Sequence, residues 1–85
     1  MPNIKIDYTI EEPGRLDFFL GGDLDYFDRI KFKKWFSTNK DIIKFDDQSK
    51  GIGLIKGYGK CEICCDINEE ILAKRVIEVW IIKII

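Results

Sequence analysis

The 85-residue chain contains no histidine. Histidine is the commonest general base near neutral pH, the usual activator of a catalytic cysteine and the commonest metal ligand. The adjacent acidic pairs that might replace it, such as Asp46-Asp47 and Glu69-Glu70, fall in a predicted turn and at a predicted helix start, where acidic residues are ordinary. The sequence therefore predicts that the protein is not an enzyme.

Alanine is nearly absent, with one residue against sixteen isoleucines and five leucines. A helical bundle would favour alanine and leucine, whereas β-branched isoleucine fits a pleated sheet. Two prolines and seven glycines are too few for a disordered or collagen-like chain. The composition favours strands in a folded domain.

Long apolar runs are also missing. The longest candidate, residues 76–85, is interrupted by Glu78 and Lys83 and falls short of the roughly 20 residues that a membrane helix needs. The first residues lack the basic-then-apolar layout of a signal peptide. We expect one domain, residues 1–85, located in the cytoplasm, where cysteines stay reduced.

The N-terminal part predicts a β-hairpin. Apolar residues alternate with polar ones over 4–10 and again over 16–20, and Pro13-Gly14 between them suits a type II turn. Asp23 then resembles a helix N-cap, which predicts a principal helix over about 23–37. This helix shows two apolar strips where packing on one sheet requires only one.

The remaining sequence predicts three strands near 41–46, 52–56 and 60–67, then a short helix through about Lys74. Residues 75–85 fit a last strand because seven of the eleven are β-branched, although one long helix over 68–82 is the alternative. The predicted fold is α+β, in the order β-β-α-β-β-β-(short α)-β. It has a mainly antiparallel sheet of five or six strands, one face of which is covered by the principal helix.

Cys61, Cys64 and Cys65 form the one cluster with metal-binding or redox chemistry. Zinc sites usually need four ligands from two Cys pairs or a Cys/His mixture, and the chain has neither. Strand alternation turns Cys61 and Cys65 to the core and leaves Cys64 as a lone outward thiol. We therefore expect no cofactor and no metal, and keep a small Cys-ligated metal protein as the second alternative function.

Four glycines at 51, 53, 57 and 59 match neither a dinucleotide-binding turn nor a phosphate-binding loop. The predicted role is structural, in letting the chain bend under the helix or under bulky aromatic side chains.

Aromatic residues concentrate in the predicted helix. Trp and Tyr beside Lys are typical of protein-interface hot spots. The predicted protein-binding residues are Tyr26, Lys31, Phe32, Lys34 and Trp35. The competing interpretation is that the helix packs between two layers, or that lysine stems cover its aromatic rings.

Charge is segregated along the chain. Residues 29–60 hold nine basic and three acidic side chains. Phe32, Trp35 and Phe45 lie between these charged residues. Basic grooves with aromatic platforms bind single-stranded nucleic acid, which makes this segment the alternative function. Against it stands the pI of about 5.4.

The sequence thus predicts a small module that binds another protein, as a stand-alone inhibitor, immunity or regulatory factor acting by steric contact. The apolar end of the chain, with Trp80, Ile82 and Ile84, offers a strand edge that can pair two copies into a homodimer.

Overall fold

The computed structural model of the chain describes residues 4–22, 33–67, 70–80 and 83–84. These residues form eight β-strands and no helix, so the described part of the fold is all-β and the α+β prediction is wrong. The strands are β1 (Ile4–Glu12), β2 (Arg15–Gly22), β3 (Lys34–Ser37), β4 (Ile43–Lys44), β5 (Ile52–Ile55), β6 (Gly59–Ile67), β7 (Glu70–Trp80) and β8 (Lys83–Ile84).

The first sheet has the antiparallel order β1-β2-β5-β4. The predicted hairpin of β1 and β2 is confirmed, with Ile6 opposite Leu20 and Glu12 opposite Arg15 across the turn. Gly14 has φ 81°, which is the conformation required at the third position of a type II turn and is open to glycine at little cost. The strands predicted near 41–46 and 52–56 were expected to pair as a hairpin, and the antiparallel pairing of β4 with β5 confirms this.

The second sheet has the antiparallel order β3-β6-β7, and the two-residue strand β8 continues it beyond β7. The long β6 and β7 pair from Gly59 opposite Val79 to Ile67 opposite Glu70, with a bulge between Cys65 and Asp66. These two strands form the longest continuous ladder, and they present one face to the core and one face outward.

The hydrophobic core lies between the two sheets. Strand alternation turns the same-parity residues of each strand inward, which gives the buried set Ile6, Leu16, Phe18, Leu20, Trp35, Ile42, Ile43, Phe45, Cys61, Ile63, Cys65, Ala73, Ile77 and Val79. Phe18 stands in the middle, with ring centroids 6.2 Å from Trp35 and 5.6 Å from Phe45. Aromatic rings at these separations add specific attraction to the area that they bury.

Close approach explains the glycine at position 53. A Cβ there would lie 2.8 Å from Cε2 of Phe18 and 3.0 Å from Cγ2 of Ile43, both in the packed core. The prediction that a glycine passes under a bulky aromatic side chain is confirmed at this position.

The predicted principal helix is wrong where the structure tests it, because residues 34–37 form β3, paired with β6. Its remaining residues, 23–32, lie outside the described part of the chain. Trp35 packs in the core against Phe18 and Phe45, while its backbone N–H donates to the carbonyl of Gln48 at 2.8 Å. The two apolar strips over 23–37 were a weak helical pattern. A weak local preference for a helix is readily overridden by pairing with a distant strand.

The predicted short helix is also wrong, because Glu70–Lys74 belong to β7. Continuous pairing of β7 with β6 extends the strand through Ile71 and Ala73 instead of starting a helical turn. The predicted strand over 75–85 is confirmed for 75–80 and 83–84, but it is divided into β7 and β8, with Trp80 opposite Lys83.

Arg75 joins the two sheets at their shared edge. Its Nη1 donates to the carbonyl of Ile6 at 2.9 Å and lies 3.1 Å from Oδ1 of Asp7. Its guanidinium carbon is 4.8 Å from the ring centroid of Tyr8. A planar, permanently charged group makes all three contacts at once, which a lysine cannot reproduce.

Candidate protein-binding surface

The three cysteines are buried. Desolvation raises the pKa of the Cys65 thiol to about 11. It also raises the pKa of the Cys61 thiol, although a hydrogen bond with Ser37 lowers that pKa in part. These thiols are protonated near neutral pH, whereas a nucleophile or metal ligand must be a thiolate. In the part of the chain that the structure describes, no group of three His, Cys, Asp or Glu side chains is arranged to hold a metal ion.

Cys64 lies on the outer face of β6, opposite to Cys61 and Cys65, as predicted, but only 2% of its surface is exposed. Phe36 and Lys74 stand in register on either side of it. Burial and then the neighbouring Glu62 raise the pKa of this thiol.

The residues predicted on the helix separate in the structure. Trp35 is 3% exposed, so its side chain belongs to the core and offers no contact to a partner. Lys34 is exposed on β3. Tyr26, Lys31 and Phe32 lie outside the described residues.

Trp80 occupies the outer face of the second sheet, where it is 52% exposed. Val76, four residues earlier on the same face of β7, is 47% exposed. Of the other two residues predicted for self-association, Ile84 lies in β8 opposite Val79, and Ile82 is outside the described residues. β8 therefore pairs with the β7 edge at Val79 and Trp80 within the chain, and the pairing of two copies through this end of the sequence stays a prediction.

Charged side chains frame these apolar groups. Lys60 on β6 is opposite Glu78 on β7, with Nζ 3.9 Å from Oε1, and Glu62 is opposite Val76. The indole N–H of Trp80 donates to Oε2 of Glu78 at 3.4 Å. We name this surface the Trp80 face and define it as Lys60, Glu62, Val76, Glu78 and Trp80. Tyr58, 61% exposed, immediately precedes β6 at the same end of the sheet.

Other exposed features are smaller. Phe19 is 46% exposed on the outer face of the first sheet, opposite Asp7, and no second large, strongly exposed apolar side chain of the described residues pairs with it there. A cleft of about 220 Å³ opens between β3 and the β4 region. It is lined by Phe36, Ser37, Lys40, Ile43, Lys44, Phe45, Asp46 and Gln48. Ligand sites typically occupy roughly 300–1,000 Å³, so this cleft is small for a cofactor or substrate.

The comparisons with known proteins give no guide to the function, since no protein-family model, curated protein or solved structure matches the chain. Within the described residues, the structure shows no helix long and apolar enough to cross a membrane. The cytoplasmic location stays a prediction.

Sequence reasoning missed Val76 and the face that it shares with Trp80. The signal was present, because Lys74, Val76, Glu78 and Trp80 have one parity in a strand and two of the four are charged. Treating residues 68–74 as a helix concealed this alternation, since parity was read only from position 75 onward.

Proposed function

We propose that this chain is a protein-binding module whose contact surface is the Trp80 face. One observation supports the proposal above the others: Val76 and Trp80 lie on one sheet face, on either side of Glu78, each about half exposed and with further charged residues around them. An aromatic anchor with a polar rim is the arrangement found at the energetic centre of protein interfaces.

The area still exposed on Trp80 sets the scale of the contact. A tryptophan buries up to roughly 250 Å², so covering its exposed half removes about 125 Å² from water and contributes about 3 kcal/mol at 25 cal/mol per Å². A single anchor of this size meets the usual threshold for an interface hot spot. The surface thus offers an apolar anchor for a protein contact that needs no reactive group.

The charges on the face favour a protein over a nucleic acid. Lys60 is accompanied by two acids, Glu62 and Glu78, so this surface repels phosphate groups on balance. In the basic segment 29–60, Trp35 and Phe45 are buried, and neither ring offers a stacking platform to a base. Nucleic-acid binding by that segment remains the alternative, and no observation on the described residues adds support to it.

An inhibitor, immunity or regulatory factor is the form of protein binding that we propose. Such a protein acts by occupying a surface, and the Trp80 face supplies contact area and charge pattern for that purpose. The raised thiol pKa values and the small cleft favour this role over catalysis.

A photo-crosslinking amino acid placed at Val76 tests the proposal in cells that make the protein. Phe19 is the matched control site, because it is equally exposed (46% against 47%) and lies on the other sheet. We expect covalent adducts at position 76 in severalfold excess over position 19, and their loss when Trp80→Lys is added. Equal yields at the two sites, or none at position 76, would refute the proposed surface.

A further inference from the structure

Two of the three charged residues on the Trp80 face, Lys60 and Glu78, complement each other across neighbouring strands, whereas Glu62 stands opposite Val76. On β6 the cation Lys60 stands directly opposite the anion Glu78 on β7, and their side chains already approach within 3.9 Å. The apolar anchors Val76 and Trp80 lie on β7, on either side of Glu78. One strand thus presents a cation, and its neighbour presents an anion between two apolar groups.

A two-fold axis lying in the plane of this face, parallel to the strands and between β6 and β7, places β6 of one copy over β7 of the other. Lys60 then meets Glu78 of the second copy, and the same pair forms a second time by symmetry. Trp80 and Tyr58 are brought together from opposite copies, since both lie at one end of the sheet. This stacking uses sheet faces, so β8 does not obstruct it.

We infer that the partner of the Trp80 face is a second copy of this chain, stacked face to face about that axis. The inference rests on the proposed function, since it names the partner of the same surface. It differs from edge pairing, because no backbone ladder forms between the copies and the contact is made by side chains alone.

The dimensions of the face set the affinity. The Trp80 face and Tyr58 occupy five residues on each of two neighbouring strands, about 17 Å by about 10 Å, which gives a projected area of about 170 Å² in each copy. The total of about 340 Å² is far below the roughly 1,200–2,000 Å² of a stable interface. The dimer is therefore very weak and forms only towards millimolar concentrations.

Analytical ultracentrifugation from about 10 µM to about 1 mM tests this inference in the range expected for a weak dimer. The wild-type chain should pass from 10.0 kDa towards twice that mass as its concentration rises. Lys60→Glu and Glu78→Lys should each weaken self-association by about tenfold or more, because two opposite-charge pairs become like-charge pairs. An equimolar mixture of the two variants should recover dimers, since each chain then supplies the charge that the other lacks.

Charge-matched controls are Lys5→Glu and Glu11→Lys, exposed residues of β1 in the other sheet, which should dimerise as the wild type does. Circular dichroism checks that every variant is folded. The inference is overturned if the wild type stays monomeric at the highest concentration, or if the mixture recovers nothing. Adducts at position 76 with a different protein, with no adduct of twice the chain mass, would reject the second copy and leave the proposed function standing.

Discussion

The two tryptophans are expected to respond very differently to truncation, and Trp35→Ala is the sharper perturbation. Trp35 is 3% exposed and packs against Phe18 and Phe45, whereas Trp80 is 52% exposed. Deleting a buried tryptophan side chain costs about 3–5 kcal/mol, and the partly exposed Trp80 should cost about 1.5–2.5 kcal/mol because about half as much area is lost. The total free energy of unfolding for a chain of this length is only about 4–13 kcal/mol.

Urea unfolding followed by far-ultraviolet circular dichroism measures both effects. With a slope of about 1 kcal/mol per molar urea, Trp35→Ala should lower the midpoint by about 3–5 M, or abolish the cooperative transition. Trp35→Phe keeps an aromatic ring in the site and should retain a cooperative transition at a lower urea concentration than the wild type. If Trp35→Ala costs no more than Trp80→Ala, Trp35 is a surface residue and the packing of β3 against the first sheet is wrong.

Three further outcomes follow from the cysteines and from the contact between the sheets. Burial raises the pKa of Cys65 from 9.0 to about 11, so the unfolded chain loses this thiol proton at a lower pH than the folded chain does. The contribution of this thiol to the free energy of unfolding is therefore constant below pH 9 and falls by about 2 kcal/mol as the pH rises to 11. Urea titrations between these pH values should show a larger loss in the wild type than in Cys65→Ala, which keeps the raised pKa values of Cys61 and Cys64. Cys64, at 2% exposure, should react with an aromatic disulfide reagent only as fast as the native structure opens, and rapid labelling of Cys64 at neutral pH would contradict its burial. Arg75→Lys should lower the free energy of unfolding by about 1–2 kcal/mol, because lysine cannot hold the Ile6 carbonyl, Asp7 and the Tyr8 ring together. Thermal denaturation checks this effect, and an unchanged melting temperature would show that the contact does not stabilise the pair of sheets.

Local signals were sufficient for the first hairpin. Alternation over 4–10 and 16–20, with Pro13-Gly14 between them, specified both strands and the turn, and the pairing of Tyr8 with Phe18 follows from that register. Such a prediction succeeds because the turn brings neighbouring segments together without help from the rest of the chain.

The helix predictions failed where strand formation depends on distant partners. Residues 34–37 form β3 because β6, nearly thirty positions later, provides backbone partners and because Trp35 fills space beside Phe18 and Phe45. Neither condition is visible in a local window. An N-cap residue and a run of aromatic residues indicated a helix instead.

The candidate site was found only in part for the same reason. Strand parity correctly assigned Cys61 and Cys65 to the core, but parity alone does not indicate that Cys64, on the opposite face, is also buried. Trp80 was identified from its apolar surroundings. Its neighbours on the face became visible only when residues 70–80 formed one continuous strand.

Hydroxyl-radical footprinting tests the central claim that the Trp80 face meets another protein. Oxidation of Trp80 and Tyr58 would be measured by mass spectrometry in concentrated extract of the producing cells and in dilute purified protein, with Phe19, exposed on the other sheet, as the internal reference. The account predicts that Trp80 and Tyr58 are oxidised severalfold less in the extract while Phe19 is unchanged. Equal oxidation of Trp80 under both conditions, or the same protection at Phe19, would contradict it.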